Sequence, residues 1–198
     1  MGSLIAVVGV SGVGKTALVN ALAKTGAFVT AFEQHTERPF QAAFKADNRY
    51  ALANQIDYLL LRAEQEKDLR TSHKTGLIDG GLDLDFHGFT RLFHSRGLLA
   101  GPEFDLCQRL YHLLREALPP PERIVAMGAT RRIISARLAA RNRINIASAV
   151  DADRMDRFIN EWLETIPRNH ILRVDSSLEG ASYSKTVSRI LSWLDGPG

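Results

Sequence analysis

Eight consecutive residues near the start of the chain have the types and spacing to hold a polyphosphate. They are Gly9-Val10-Ser11-Gly12-Val13-Gly14-Lys15-Thr16, the pattern Gly-x-x-x-x-Gly-Lys-Thr. Phosphate oxygens need several N–H donors converging on one point, and glycines let the backbone curl there without side chains in the way. An apolar run, Leu4-Ile5-Ala6-Val7-Val8, leads in, and a helical pattern with Ala17, Leu18 and Leu22 leads out. A helix starting near Gly14 adds free N–H groups and the positive end of its dipole. Lys15 is long enough to reach the β- and γ-phosphates, and the Thr16 hydroxyl stands where it can ligate Mg²⁺. Gly9, Ser11, Gly12, Val13, Gly14, Lys15 and Thr16 are therefore expected to bind a nucleoside triphosphate.

A transfer reaction needs three further parts: a carboxylate for the metal, a base for the acceptor, and cations for the charge that develops. Glu33 and Asp79 each close an apolar, β-branched run, and in a parallel sheet such ends face the ligand. Asp79 is the expected Mg²⁺ partner and Glu33 the expected base. Arg131, Arg132, Arg137, Arg141 and Arg143 crowd one segment. Arg137 and Arg141 stand four apart, on one helical face, and a guanidinium fork grips phosphate oxygens two at a time. Residues 131–147 thus read as a phosphate-closing lid, with Arg137 and Arg141 on the donor and Arg141 and Arg143 at the transition state. The six histidines have no metal-ligand spacing and read as structural or surface residues. Phe86, Phe89 and Phe93 recur at helical spacing and read as core. The single Cys107 reads as a small core residue.

The elements that must position these residues alternate along the chain. Strands are expected at residues 4–8, 27–33, 75–79, 123–128 and 171–175. Between them, 34–47 reads as polar and irregular with Pro39 barring a helix, and a long helix runs from Asn48 to about Lys74. Shorter helices follow over 85–95 and 102–118, then Pro119-Pro120-Pro121 as a stop. A helix capped by Thr130, another over 151–164 and a closing one over 182–194 complete the set. Strands alternating with helices mean a parallel sheet covered on both faces, an α/β fold.

At 198 residues and 45% hydrophobic, the chain fits one such domain spanning 1–198. A net charge of +3 is no more than a nucleotide site asks for, so neither a nucleic-acid nor a membrane partner is expected. One cysteine excludes an internal disulfide, and no apolar run reaches membrane-spanning length; a cytoplasmic protein is expected.

Beyond the phosphate loop, several features fall in a telling order. Glu33 lies six residues before Pro39-Phe40, Tyr50-Ala51-Leu52 opens a long helix closing on Leu59-Leu60-Leu61-Arg62, and Asp79 ends a strand. Arg109-Leu110-Tyr111, Pro119-Pro120-Pro121 and Arg141-Asn142-Arg143 follow. In this order the chain resembles the deoxynucleoside kinase family, most closely the bacterial deoxyadenosine and deoxyguanosine kinases. The resemblance implies a P-loop NTPase three-layer αβα fold with a five-stranded parallel sheet. It also implies ATP and Mg²⁺, Glu33 as base for the sugar 5′-hydroxyl, Asp79 on the metal, lid arginines on the donor, and a homodimer through the long helices.

Departures from the family fall on the acceptor side. Gly80-Gly81 stand where Arg-Ser is usual, Ala53 aligns with the base-reading glutamine while Gln55 lies two residues on, and Ile146 aligns with a sugar-binding glutamate. No tyrosine stands near Phe44 or Lys45, and Arg91, Asp83, Asp85 and Arg109 are the candidates to compensate. The expected function is ATP-dependent transfer to the 5′-hydroxyl of a (deoxy)nucleoside. Two alternatives stay open. One is a nucleoside monophosphate kinase of the thymidylate kinase kind, drawing on Arg38, Lys45 and Arg91 for the extra phosphate. The other is a nucleotide-binding protein whose catalysis has decayed.

Overall fold

The computed structural model describes residues 2–31, 38–140, 149–177, 179–180 and 182–196. Five parallel strands form one sheet in the order β2-β3-β1-β4-β5. They are β1 (Leu4–Val8), β2 (Phe28–Ala31), β3 (Thr75–Asp79), β4 (Arg123–Gly128) and β5 (Ile171–Asp175). The central strand β1 is buried at all five positions, which is why it reads as an unbroken apolar run rather than an alternating one. Its Val7 pairs with Asp79 of β3 on one side and Val125 of β4 on the other. The order reverses at β1, so the phosphate loop that follows it opens into the crevice where such sheets bind ligands.

The helices are α1 (Lys15–Ala23), α2 (Pro39–Ala46), α3 (Ala51–Leu69), α4 (Leu82–Leu84), α5 (Arg91–Ser95), α6 (Gly101–Ala117), α7 (Arg131–Ala139), α8 (Ala149–Leu163) and α9 (Ser184–Asp195). A six-residue π-turn, Asp85–Thr90, joins α4 to α5, so the helix expected over 85–95 starts earlier and carries a wide turn. Pro39 does not bar a helix; it begins one, at the first helical position, where its missing N–H has no partner to lose. The long helix ends at Leu69, not Lys74, and Asn48 begins a single 3₁₀ turn capped by Asp47, whose carboxylate accepts from the Arg49 N–H at 2.9 Å. The closing helix starts at Ser184 rather than Ser182.

Two apolar clusters hold these elements. One surrounds the sheet and takes in α1, α8 and α9 through Leu18, Leu22, Met155, Trp162 and Ile190. The other joins α3 to α6 and the π-turn through Leu59, Phe86, Phe93, Cys107 and Tyr111. Between α3 and α6 lies a buried charged network. Arg115 donates to both oxygens of Glu66 (2.8 and 3.0 Å) and to Asp83 (2.8 Å), and Tyr111 donates to Asp83 (2.8 Å). Glu66 is wholly buried, and its Oε1 also accepts the Leu82 N–H at 2.8 Å, which pins the turn just after β3. Burial opposes charge on Arg115, but Asp83 and Glu66 outweigh it and hold the guanidinium protonated above its ordinary value. Cys107 is fully buried as expected, and desolvation, helped by Glu103, pushes its thiol up to about 11.

Candidate active site

The phosphate loop runs from the end of β1 into α1, and three of its glycines have positive φ. Gly14 shows why: its φ is +109°, and a Cβ there would lie 2.3 Å from the Tyr183 hydroxyl oxygen. The Lys15 ammonium donates to the Gly9 and Val10 carbonyls, at 2.9 and 3.2 Å, so its charge sits over the cradle. The Thr16 hydroxyl donates to Asp79 Oδ2 at 2.5 Å across the β1–β3 boundary. Asp79 is 1% exposed, so this carboxylate is committed to the loop and not to bulk solvent.

Arg137 reaches the loop from α7. It donates to the Val13 carbonyl at 2.6 Å and to Ser176 Oγ and O at 3.1 and 3.0 Å, while Ser176 Oγ donates to the same Val13 carbonyl at 2.7 Å. One guanidinium thus ties α7, the loop and the end of β5 together. Glu33, Arg141, Arg143 and Ile146 lie outside the described residues. Among the other arginines of that segment, Arg131 pairs with Asp153 of α8, and Arg132 is exposed.

A second cleft opens beside Asp79. Asn54, Gln55, Tyr58, Arg62, Asp85, Phe89 and Phe93 line about 340 Å³ of space, counted to its open mouth. Little of it is wide enough for a water molecule, so the cleft is a narrow slot. The polar wall comes from α3, where Gln55 and Arg62 stand seven residues apart on one helical stripe. Arg62 Nε donates to Asp85 Oδ2 at 2.6 Å and Nη1 to Gln65 at 3.0 Å, all of it buried. Gln55 Nε2 donates to Thr90 at 2.9 Å. The π-turn sets Asp85 and Phe89 on the opposite wall.

Gly80 links the phosphate-loop side to the slot wall. A Cβ built there would lie 3.6 Å from Arg62 Nη2, and φ is +93°, so the backbone next to Asp79 passes close beside Arg62 with no side chain between them. The sequence reading missed this slot. Asn54 and Gln55, not Ala53, are the carboxamides on its wall, and Phe89 and Phe93, expected as core, pack in the core and line it as well. The signal was present as Gln55, Tyr58 and Arg62 at helical spacing, but their partner Asp85 lies 23 residues beyond Arg62 and only the fold brings it near.

The other candidates are occupied elsewhere. Asp83 belongs to the buried network, Arg91 donates to Glu161 at 2.6 Å and lies 4.2 Å over the Phe158 ring, and Arg109 is exposed on α6. Arg38 forms a two-pronged pair with Asp57, both contacts at 2.5 Å. Hydrogen bonding to Asp57 raises the Arg38 pKa despite partial burial.

The sequence matches the model of one protein family, described as "Deoxynucleoside kinase", over residues 5–186. No curated protein matches it by sequence. Among solved structures, deoxyadenosine kinase from M. mycoides with bound dATP superposes with a TM-score of 0.79 at 17% identity, covering 98% of this chain and 100% of that one. The same enzyme with products dCMP and a flexible dCDP gives 0.77 at 16% identity, and with bound dCTP 0.78 at 16%; each covers 97% of this chain and 98% of that one. These likenesses establish the fold.

Proposed function

The chain belongs to the deoxynucleoside kinase family and is thereby an ATP-dependent nucleoside kinase, and we propose that it phosphorylates the 5′-hydroxyl of a deoxynucleoside held in the slot beside Asp79. The observation that carries this is the short path from the phosphate loop to the slot, through Asp79 and Gly80 to Arg62. Thr16 of the loop donates to Asp79, and the backbone of the next residue, Gly80, passes close to Arg62 on the slot wall, so an acceptor in the slot would lie near the donor's terminal phosphate. In-line transfer needs little more than that placement and charge neutralisation.

The residues divide the work as follows. The loop N–H groups and Lys15 hold the β- and γ-phosphates, and Arg137, Arg141 and Arg143 approach the donor from the lid side. Thr16 and Asp79 would hold Mg²⁺. Their two hard oxygens, already in contact at 2.5 Å, suit an ion that keeps several waters and takes its other ligands from phosphate. Held there, Mg²⁺ would supply positive charge that offsets the charge of the donor phosphates. Glu33 takes the 5′-hydroxyl proton. It follows β2 by two residues in the chain, and β2 ends with Ala31 paired to Ile78, next to Asp79. Gln55, Arg62 and Asp85 offer the base edge a carboxamide and a guanidinium–carboxylate pair. The solved relatives hold dATP and dCTP, so deoxyadenosine and deoxycytidine head the acceptors to try.

A monophosphate acceptor would need spare cations, yet Arg38 and Arg91 are spent on Asp57 and Glu161, which favours the nucleoside. Leu60 on α3 and Leu106 and Leu113 on α6 are 42%, 42% and 62% exposed, and the proposed homodimer forms over these two helices. Among the described residues no helix is long and apolar enough to cross a membrane. A nucleoside kinase with one buried thiol fits the reducing cytoplasm, its proposed location.

The test is transfer from labelled ATP·Mg²⁺ to each natural nucleoside, deoxynucleoside and nucleoside monophosphate, beside Glu33→Gln and Asp79→Asn. Transfer to a nucleoside that both variants reduce at least a hundredfold supports the assignment. Transfer only to monophosphates, or none, refutes it. Light scattering of wild type against Leu113→Glu checks the dimer.

A further inference from the structure

One side chain on the slot wall has no work in the empty protein. Asn54 is 1% exposed and lines the slot, and its Oδ1 is buried without a hydrogen-bond partner. The other orphan among the described residues, Arg70 Nε, belongs to a guanidinium whose remaining nitrogens make four hydrogen bonds, to Gly2, Glu122, Pro119 and Pro120. No such compensation exists for Asn54 Oδ1. A buried amide oxygen left without a donor is costly, so a place that keeps one in a ligand cleft is a place where a ligand supplies the donor.

The surroundings say which kind of ligand. Asn54, Tyr58 and Arg62 are four residues apart in turn, so they form one stripe of α3, with Gln55 beside it. Gln55 has its Nε2 taken by Thr90, and Arg62 is locked to Asp85, so both present fixed groups to the slot. A carboxamide offers one donor and one acceptor side by side, in either orientation, and the matching partner is a planar heterocycle with an acceptor next to an N–H. A nucleobase edge has that pattern.

We propose that Asn54 is a specificity-determining residue, hydrogen-bonding the edge of the acceptor's base. The inference rests on the nucleoside-kinase reading above. It implies a trade: the empty enzyme carries an unsatisfied group that binding satisfies. An apolar side chain of similar size should therefore weaken recognition while leaving the empty protein as stable or more so. A packing role predicts the reverse.

The experiment compares wild type with Asn54→Leu, and with Asn54→Ala should the leucine not fit. It measures kcat and KM across the deoxynucleosides, KM for ATP, and the melting temperature of the unliganded protein. The expected result is a tenfold or greater fall in kcat/KM for the best acceptor, carried by KM. The ratio between best and worst acceptor shrinks, KM for ATP is unchanged, and the melting temperature is equal or higher. A ratio kept within twofold overturns the proposal. So does an equal loss for every acceptor with a lowered melting temperature, or failure of both variants to fold. Wild type that phosphorylates no deoxynucleoside is a different failure: it removes the acceptor reading, and this inference with it.

Discussion

Replacing Arg115 by methionine tests the energetics that hold the site, because this residue touches neither cleft. Its guanidinium serves two carboxylates at once, Glu66 with a side chain 0% exposed and Asp83 with one 7% exposed, and is itself 11% exposed. Removing one partner of a buried pair costs about 3–5 kcal/mol, because the remaining charge has neither counterion nor water. Here two carboxylates are stranded, so the cost belongs at the top of that range, about 5 kcal/mol. Against a total of about 5–15 kcal/mol for a domain, Arg115→Met should lose between about a third and all of its stability at 25 °C. The carboxylate that loses most, Glu66, also accepts the Leu82 N–H, so the turn after Asp79 should loosen and phosphoryl transfer should fall with stability. Urea denaturation followed by circular dichroism, with the slope checked against wild type, gives the number. The decisive control is the triple variant Arg115→Met, Glu66→Gln, Asp83→Asn, which keeps the shapes but strands no charge. It should recover at least half of the loss. A single variant that loses less than about 1 kcal/mol, the range of an exposed pair, would refute the reasoning. So would a triple variant no better than the single one.

Three further outcomes are expected. Gly14→Ala should cost about 1–2 kcal/mol from the left-handed backbone alone and lower ATP affinity at least tenfold, since the added methyl meets Tyr183; calorimetric titration with ATP decides it. His87, stacked on Trp162, has its pKa lowered to about 4, first by desolvation and then by Arg91 and Arg115, with Asp83 opposing. The unfolded chain therefore binds the proton first, stability falls as pH drops below about 6.5, and about 2–3 kcal/mol is lost between pH 7 and 4.5. That component should be missing in His87→Phe, and unfolding both proteins at the two pH values shows whether it is. Cys107 should react with a thiol reagent at pH 8 only as fast as the protein opens, at least a hundredfold slower than in urea; fast native labelling would contradict its burial.

What could be read from the sequence was whatever local chemistry dictates. The phosphate loop is contiguous, so its pattern and its structure coincide, and the strand over 75–79 ends on the turn pair Gly80-Gly81, which marks its last residue. Asp79 was legible because a strand end in a parallel sheet has one destination. Pro39 was misread because the same ring that breaks a helix interior suits a helix start, and only the chain beyond it decides which. The acceptor slot was hidden for a different reason. Its wall is a contact between the middle of α3 and a π-turn, and a π-turn shifts the facing residues away from the 3.6-residue spacing on which periodicity depends. Gln55 was passed over there because the family's base-reading glutamine aligned with Ala53, while Phe89 and Phe93 pack in the core as expected and line the slot as well.

The order of the strands also bears on how the chain is made. β1 leaves the ribosome first, yet its first residue bonds to Glu122, 118 residues downstream, and its β3 neighbours come about midway. At about 5–20 residues per second, this apolar strand waits on the order of ten seconds for its second neighbour, a window in which chaperones or aggregation compete for it. The nucleotide cannot shorten that wait. The loop that would grip it is braced by Arg137, Ser176 and Tyr183, from the last third of the chain. ATP can therefore stabilise only a chain synthesised through Tyr183, and yield before that point should follow translation speed and chaperone supply rather than the cell's nucleotide level.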